Sequence, residues 1–412
     1  MEEHPEALSI VEKLVKNGFE AYYAGGWVRD FFLQHPSDDI DIATNASPEK
    51  IQELFEHTVP VGIAFGIIIV IVGERQYEVA TFRKDIEYKD GRRPSKVEFT
   101  SAEQDAMRRD FTVNGMFYDP IKKEVLDFVH GKEDLEKKII RAIGNPHERI
   151  KEDRLRMIRA IRLGCRFDFE IEEKTMAAIR AHANELFPAV AIERVVNEMQ
   201  KMAAFPNFKK ALLSLHETGL LQTIFPDLKI IPLKEIENRL YAIEDFPKKT
   251  PISIYLIELF GPISLERKLA ICKYLKLPNQ QMQFVNFQTR SEEILFSNDN
   301  AEDIEWAYYY ANPYSHLCLC IHAAHLPLEE RKPFLEKHEE KKKLLSFAIE
   351  RIEKHDPVIK SSFLKTHGIG ESPLMGKLLR EAERIAVNEK LQQPEEILAK
   401  LKESTLWPKS TS

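Results

Sequence analysis

Two aspartates flank one isoleucine in the segment Asp39-Ile40-Asp41-Ile42-Ala43. The alternation predicts a strand, and residues two apart on a strand project to one face. Two carboxylates held that close are costly unless a cation neutralises them. Hard oxygen ligands from a short pair, with positions left for phosphate and water, suit Mg²⁺. The competing reading is a solvated strand end with accidental acids. Glu78, in Tyr77-Glu78-Val79-Ala80-Thr81, adds a third acid on another expected strand with apolar neighbours. Upstream, Gly25-Gly26 separates a short expected strand, 21–24, from a helix expected over 27–34. Glycines at such a junction let backbone approach a ligand closely and leave N–H groups free, which makes a phosphate cradle. Three acids on adjacent strands beside that bend predict two-metal phosphoryl transfer. One ion would activate an attacking 3′ hydroxyl; the other would hold a triphosphate and stabilise the departing pyrophosphate.

Two cationic segments follow. Arg108-Arg109-Asp110-Phe111-Thr112 could be an ordinary ion pair before a strand, but forked guanidinium groups beside a triphosphate site suit phosphate and sugar. The segment Glu152-Asp153-Arg154-Leu155-Arg156, running on through Arg159 and Arg162, reads as a basic amphipathic helix. Asp153 and Arg156 would share one face of it, and the competing reading is a solvated i,i+3 pair.

The elements that must position these residues change character along the chain. The first 140 or so residues mix strand and helix signals: a helix over 6–19, a helix over 48–57, and strands over 66–72 and 76–81 with Gly73-Glu74-Arg75 turning between them. From about Asn145 helical periodicity dominates, with helices expected over 151–166, 173–185, 192–203 and 208–218. The 412 residues predict several domains, and 43% hydrophobic with 30% charged residues is ordinary globular usage. The longest apolar run, 63–72, is too short to span a bilayer, and the acidic N-terminus shows no secretory h-region. Four cysteines outside any framework spacing fit a reducing compartment, and a net charge of −7 confines any nucleic-acid contact to local patches. The run from His316 to His325 contains Cys318 and Cys320, which a helix sends to different faces, so it reads as a core helix rather than a metal site.

Taken together, Gly25-Gly26-Trp27-Val28-Arg29-Asp30, the Asp39/Asp41 pair, Arg108-Arg109-Asp110-Phe111-Thr112 and Glu152-Asp153-Arg154-Leu155-Arg156 resemble, in order and spacing, the class II tRNA nucleotidyltransferases. These are the bacterial CCA-adding enzymes and their poly(A) polymerase relatives. The resemblance is carried by residues 20 to about 205. It implies an α+β nucleotidyltransferase head, a small mixed sheet with helices, followed by an elongated all-α neck, body and tail. The implied boundaries are 1–143 for the catalytic head, 144–205 for a base-recognising neck, 206–330 for the body and 331–412 for a tRNA-binding tail.

The resemblance makes Asp39 and Asp41 metal-binding catalytic carboxylates with Glu78 in support, and Mg²⁺ the cofactor. Gly25, Gly26 and Arg29 would hold the triphosphate, with Arg108, Arg109 and Asp110 facing phosphates and ribose. Glu152, Asp153 and Arg156, with Arg159 beyond them, would form an amino-acid template. Cytosine and adenine both present an NH₂ donor beside a ring-nitrogen acceptor, so Asp153 can accept from one and Arg156 donate to the other. Uracil and guanine present the opposite order and would leave both side chains unpaired, at about 1–3 kcal/mol per group. The segment Asp85–Pro94 would be the flexible loop of enzymes able to add A. The implied partners are a tRNA acceptor arm and 3′ end, ATP and CTP, in the cytoplasm, with no membrane and no protein partner expected. CCA addition, addition of the terminal A alone, poly(A) synthesis and a non-catalytic RNA-binding module remain open at this point.

Overall fold

The computed structural model describes residues 4–35, 37–88, 94–296 and 301–408. The chain divides into two compact units between Glu237 and Asn238. The first is built on a mixed sheet of seven strands, ordered β3-β4-β5-β2-β1-β8-β9. These are β1 (Ala21–Ala24), β2 (Asp41–Thr44), β3 (Thr58–Gly62), β4 (Ile67–Val72), β5 (Arg75–Thr81), β8 (Phe117–Asp119) and β9 (Glu124–Leu126). Between β5 and β8 the chain forms a separate antiparallel pair, β6 (Arg83–Tyr88) and β7 (Pro94–Phe99). The expected flexible loop falls here, and its residues 89–93 lie outside the described residues.

One face of the sheet is closed by α1 (Pro5–Lys16) and α3 (Pro48–Leu54). Helix α1 buries Ala7, Ile10, Val11 and Leu14, the i, i+3, i+4, i+7 stripe its sequence predicts. Beneath the two helices Ile42, Ile68, Val70 and Val79 are fully buried. Because side chains alternate, Asp41, Ile69 and Glu78 are left on the other face. Ser47 caps α3 by accepting from the Lys50 N–H. Helix α2 (Gly26–Phe32) follows β1 directly through Gly25, at φ +67. Helix α4 (Ala102–Met107) precedes the two arginines.

After a short helix α5 (Gly131–Glu136), three observations revise the sequence reading. The helix expected over 151–166 is two helices, α6 (Pro146–Glu152) and α7 (Arg156–Phe167). Asp153 ends α6 in an extended conformation, φ −144 and ψ 105. The break carries no Gly or Pro; the Asp153 carboxylate instead accepts from the Leu155 N–H and stabilises a turn. The second revision is at β2, which starts at Asp41 rather than Asp39, so Asp39 lies just ahead of the strand. The third is at Phe111 and Thr112, where a single 3₁₀ turn (Thr112–Asn114) replaces the expected strand and Phe111 makes one isolated bridge to Ala142. Helices α8 (Glu173–His182) and α9 (Ile192–Ala203) fall where the periodicity predicts them.

Among its described residues the second unit contains helices and no strand. One of its cores gathers Ile304, Trp306, Tyr309, Tyr310 and Leu319; another gathers Ile359, Leu364, Leu378, Ile385 and Leu401. The helix Ser315–Ala324 buries Cys318 and leaves Cys320 half-buried, as the helical reading of that segment requires. No helix among the described residues is long and apolar enough to cross a membrane.

Candidate active site

The site forms where β1 ends and β2 begins. Ala24 pairs with Asp41 across these antiparallel strands, which brings Gly25 beside the Asp41 carboxylate. Strands β2 and β5 run parallel with Ile42 opposite Val79, so Asp41 and Glu78 stand at equivalent positions one residue earlier. A Cβ built on Gly25 would lie 3.0 Å from Arg109 Nη1 and 3.9 Å from Asp41 Oδ2. With its positive φ, Gly25 thus meets both demands that favour glycine: a left-handed backbone and close approach. Arg109 lies over the Phe117 ring at 4.9 Å.

Electrostatics ties the acids together. Asp41 is pushed up to about 6, first by desolvation, then by Glu78 and Asp39, with Arg109 pulling the other way. Desolvation also raises Glu78, opposed by Arg83 and assisted by Asp39. The three carboxylates are therefore close enough to feel one another, yet they do not converge into a cage. No group of three or more His, Cys, Asp or Glu among the described residues is placed to hold a metal ion. Asp41, Glu78 and Asp39 thus share one electrostatic neighbourhood. What remains, two or three hard oxygen donors short of a cation, fits a divalent ion that takes one or two protein carboxylates and fills its shell with phosphate and water.

The arginines are aimed by a residue that the motif reading passed over. Asp105 is 1% exposed. Its Oδ1 accepts from Arg108 Nε at 2.8 Å and from the Arg83 N–H at 3.1 Å, and its Oδ2 accepts from Arg109 Nη2 at 3.1 Å. Burial raises its pKa, but Arg109 and Arg108 more than offset this and hold it below the usual carboxylate range. Arg29, expected at the triphosphate, is buried instead. It donates to Asp30 Oδ1 and Asn114 Oδ1 and stacks on Phe167 at 4.6 Å. The structure thus places Arg29 beneath the bend at Gly26, whose Cβ position is 3.5 Å from its Nη2.

Asp110 is engaged within the protein, accepting from Asn114 and the Phe111 N–H on one oxygen and from Arg159 on the other. Arg159 begins a series along α7. Arg162 binds the buried Glu198 at 2.6 Å, and Arg166 binds Asp30 at 3.0 Å. At the break before α7, the Arg156 N–H donates to the Asp153 carbonyl at 3.0 Å, while their side chains take other partners. Asp153 accepts from Arg194 at 3.0 Å, and Arg156 donates to Glu152 at 2.6 Å and to the Arg149 carbonyl at 2.7 Å. Arg149 and Arg156 also reach the Arg108 carbonyl, linking the α6–α7 break to the segment of Arg108 and Arg109.

Comparison with known proteins decides the family. Residues 21–141 match the model for the poly A polymerase head domain, and 168–231 match a probable RNA- and SrmB-binding site of polymerase A. The CCA-adding enzyme of Enterococcus faecalis is 39% identical over 302 residues, which are 72% of this chain and 72% of that one. The chain belongs to the CCA-adding enzyme family. The CCA-adding enzyme of Streptococcus sanguinis is 43% identical over 228 residues, 55% of this chain and 56% of that relative. The crystal structure of the Bacillus stearothermophilus CCA-adding enzyme in complex with CTP superposes with a TM-score of 0.80 at 28% identity, covering 98% of both chains. Like the other members, this chain is a nucleotidyltransferase. Within that family framework Asp105, Asn114, Arg149, Arg166 and Arg194 are the residues that sequence reasoning missed. Each acts through a partner distant in sequence, apart from Asp105, whose spacing of three and four to Arg108 and Arg109 on a helix was a readable signal.

Proposed function

We propose that this chain adds C, C and A to the 3′ end of tRNA from CTP and ATP, without a nucleic-acid template, in the cytoplasm. The observation that carries the proposal is the apposition of Gly25, Arg109 and Asp41, with Glu78 and Asp39 in electrostatic reach. The names of the relatives, CCA-adding enzymes throughout, favour CCA addition over addition of A alone or poly(A) synthesis.

In this reading residues 1–143 are the catalytic head, 144–205 the neck, 206–330 the body and 331–412 the tRNA-binding tail. Asp39 and Asp41 hold divalent ions, Mg²⁺ by the hardness of their oxygens, with Glu78 supporting. Two such ions would supply charge stabilisation at the attacking and leaving oxygens. The protein's own residues do the rest. Gly25 and Gly26 let the triphosphate lie against backbone. Arg108 and Arg109, oriented by Asp105, spread donors over its oxygens and the ribose, near Asp110. Arg29 braces the bend from beneath. Glu152 holds Arg156, while Asp153, with Arg156, reads the base, and Arg159 anchors their helix on Asp110. Base reading requires Asp153 to exchange or share its Arg194 partner with the incoming NH₂ group.

Incubation with labelled CTP and ATP, separately and together, on tRNA ending before CCA, before A, or complete, tests the proposal. The expected result is two C additions, then one A, and nothing on complete tRNA. Growth of long A tails on generic RNA, or failure to incorporate C, overturns it.

A further inference from the structure

The acid face of the sheet continues beyond the acids. Pairing in register runs Phe117–Ala24–Asp41 through β8, β1 and β2. It passes to Glu78 on β5, then to Ile69 on β4, and ends at Val59 on the edge strand β3. Partners across a sheet share a face. Read along this row, the surface is cationic where Arg109 covers Phe117, acidic at Asp41 and Glu78, and apolar at Ile69 and Val59. Val59 is 45% exposed, and beyond it a register shift between Val59 and Gly62 interrupts the row. Helix α4 packs Ala102 and Ala106 against Ala24, Ala43 and Phe117 at the cationic end of this side, while α1 and α3 close the opposite face.

We infer that the ledge of Ile69 and Val59 seats the terminal nucleoside of the RNA being extended. The inference rests on the proposed role of the acids. In phosphoryl transfer the attacking and leaving oxygens stand roughly in line across the phosphorus. Arg108 and Arg109 mark the side of the leaving pyrophosphate, so the attacking 3′ hydroxyl enters from the other side of Asp41 and Glu78. Along the row, that side is the ledge. Its chemistry suits the occupant: these side chains carry no hydrogen-bonding group, so they pack on a ribose or base face without reading it. Contact of that kind tolerates every base. An RNA end whose last base changes after each addition requires such a seat, while discrimination of the incoming base stays with Asp153 and Arg156.

The test is kinetic and chemical. Val59→Glu, at an exposed position, is expected to raise the KM for tRNA about tenfold with the KM for CTP and ATP held within about twofold. Val59→Phe retains or lowers the KM for tRNA, which separates an apolar seat from a fold defect. With p-benzoylphenylalanine at position 59, crosslinks are expected to map to the last two nucleotides of the tRNA. An unchanged KM for tRNA in the Glu variant, an equal loss of nucleotide affinity, or crosslinks confined to the acceptor stem overturns the inference. Turnover retained by Asp41→Asn would instead sink the reading of the acids, and the crosslink pattern still decides the ledge.

Discussion

Asp41 and Asp110 belong to the same unit and meet opposite surroundings. Around Asp41 two further carboxylates, Glu78 and Asp39, push its pKa up, and the cation that opposes them, Arg109, is already held by Asp105. Around Asp110, Arg159 and the Asn114 amide more than offset burial and hold the carboxyl well below the usual range, with Arg156 adding to the pull. The same side chain is short of positive charge in one place and fully supplied in the other. A surface left short of cations stands ready for a ligand that brings them. A surface with every charge answered is a joint, and α7 shows it four times over: Arg156 to Glu152, Arg159 to Asp110, Arg162 to Glu198, Arg166 to Asp30.

The sharpest way to break this contrast is to neutralise each aspartate. Asp41→Asn is expected to cut incorporation by roughly 10³-fold or more, since a metal ligand supplies several kcal/mol of transition-state stabilisation. Its melting temperature should hold or rise, because one of three crowded charges is gone. Appreciable turnover in that variant would place the acids outside the chemistry. Chelation by EDTA should mimic the loss without altering the melting temperature, and added Mg²⁺ should restore activity.

Gly25→Ala comes next. Its Cβ would strike Arg109 in a backbone conformation that already disfavours alanine, so the KM for nucleotide should rise by roughly tenfold or more. Wild-type nucleotide KM in this variant would show that Arg109 is not aimed through that bend. Asp153→Ala should relax discrimination against UTP and GTP by roughly 5- to 100-fold, the value of one or two unpaired polar groups. Unchanged selectivity, measured as ratios of kcat/KM, removes Asp153 from base reading.

The smallest effect is the pH dependence of stability in metal-free buffer. Asp110 is depressed in the fold, so its contribution is complete above the ordinary carboxylate value and fades as pH falls below it. Asp41 is raised to about 6, so its contribution is complete below the ordinary value and fades as pH climbs to about 6. Relative to wild type, Asp110→Asn should therefore be less stable at neutral pH and converge with it in acid. Asp41→Asn should match wild type near pH 4 and gain on it up to about pH 7. Parallel melting curves for the two variants across that range would erase the contrast.

Much of the catalytic unit was readable before any coordinates. A glycine-flanked run of β-branched residues and the turn at Gly73-Glu74-Arg75 located β4 and β5 to within a residue, and the glycine bend and acid pair fell at strand ends. These signals are local, set by side-chain alternation and backbone freedom. The split between α6 and α7 was not readable, because charge periodicity runs unbroken through Glu152–Arg162. The turn depends on Asp153 bonding a backbone N–H and on Arg194, 41 positions away. The position of Arg29 was hidden for the same reason: its neighbours in sequence suggest a phosphate ligand, but Asn114 and Phe167 draw it inward. Buried charge networks are invisible in one sequence because both partners look like ordinary surface residues until the fold brings them together.

The arginines of α7 fall at 156, 159, 162 and 166, a three-three-four rhythm that tracks one side of an α-helix. Their acids come from α6, from the turn after α4, from α9 and from α2. A rod clamped at four heights by four different segments can neither roll nor slide without releasing all the clamps at once. Under the proposed function, the base-reading residues at its start are thereby kept in fixed alignment with the reaction they serve.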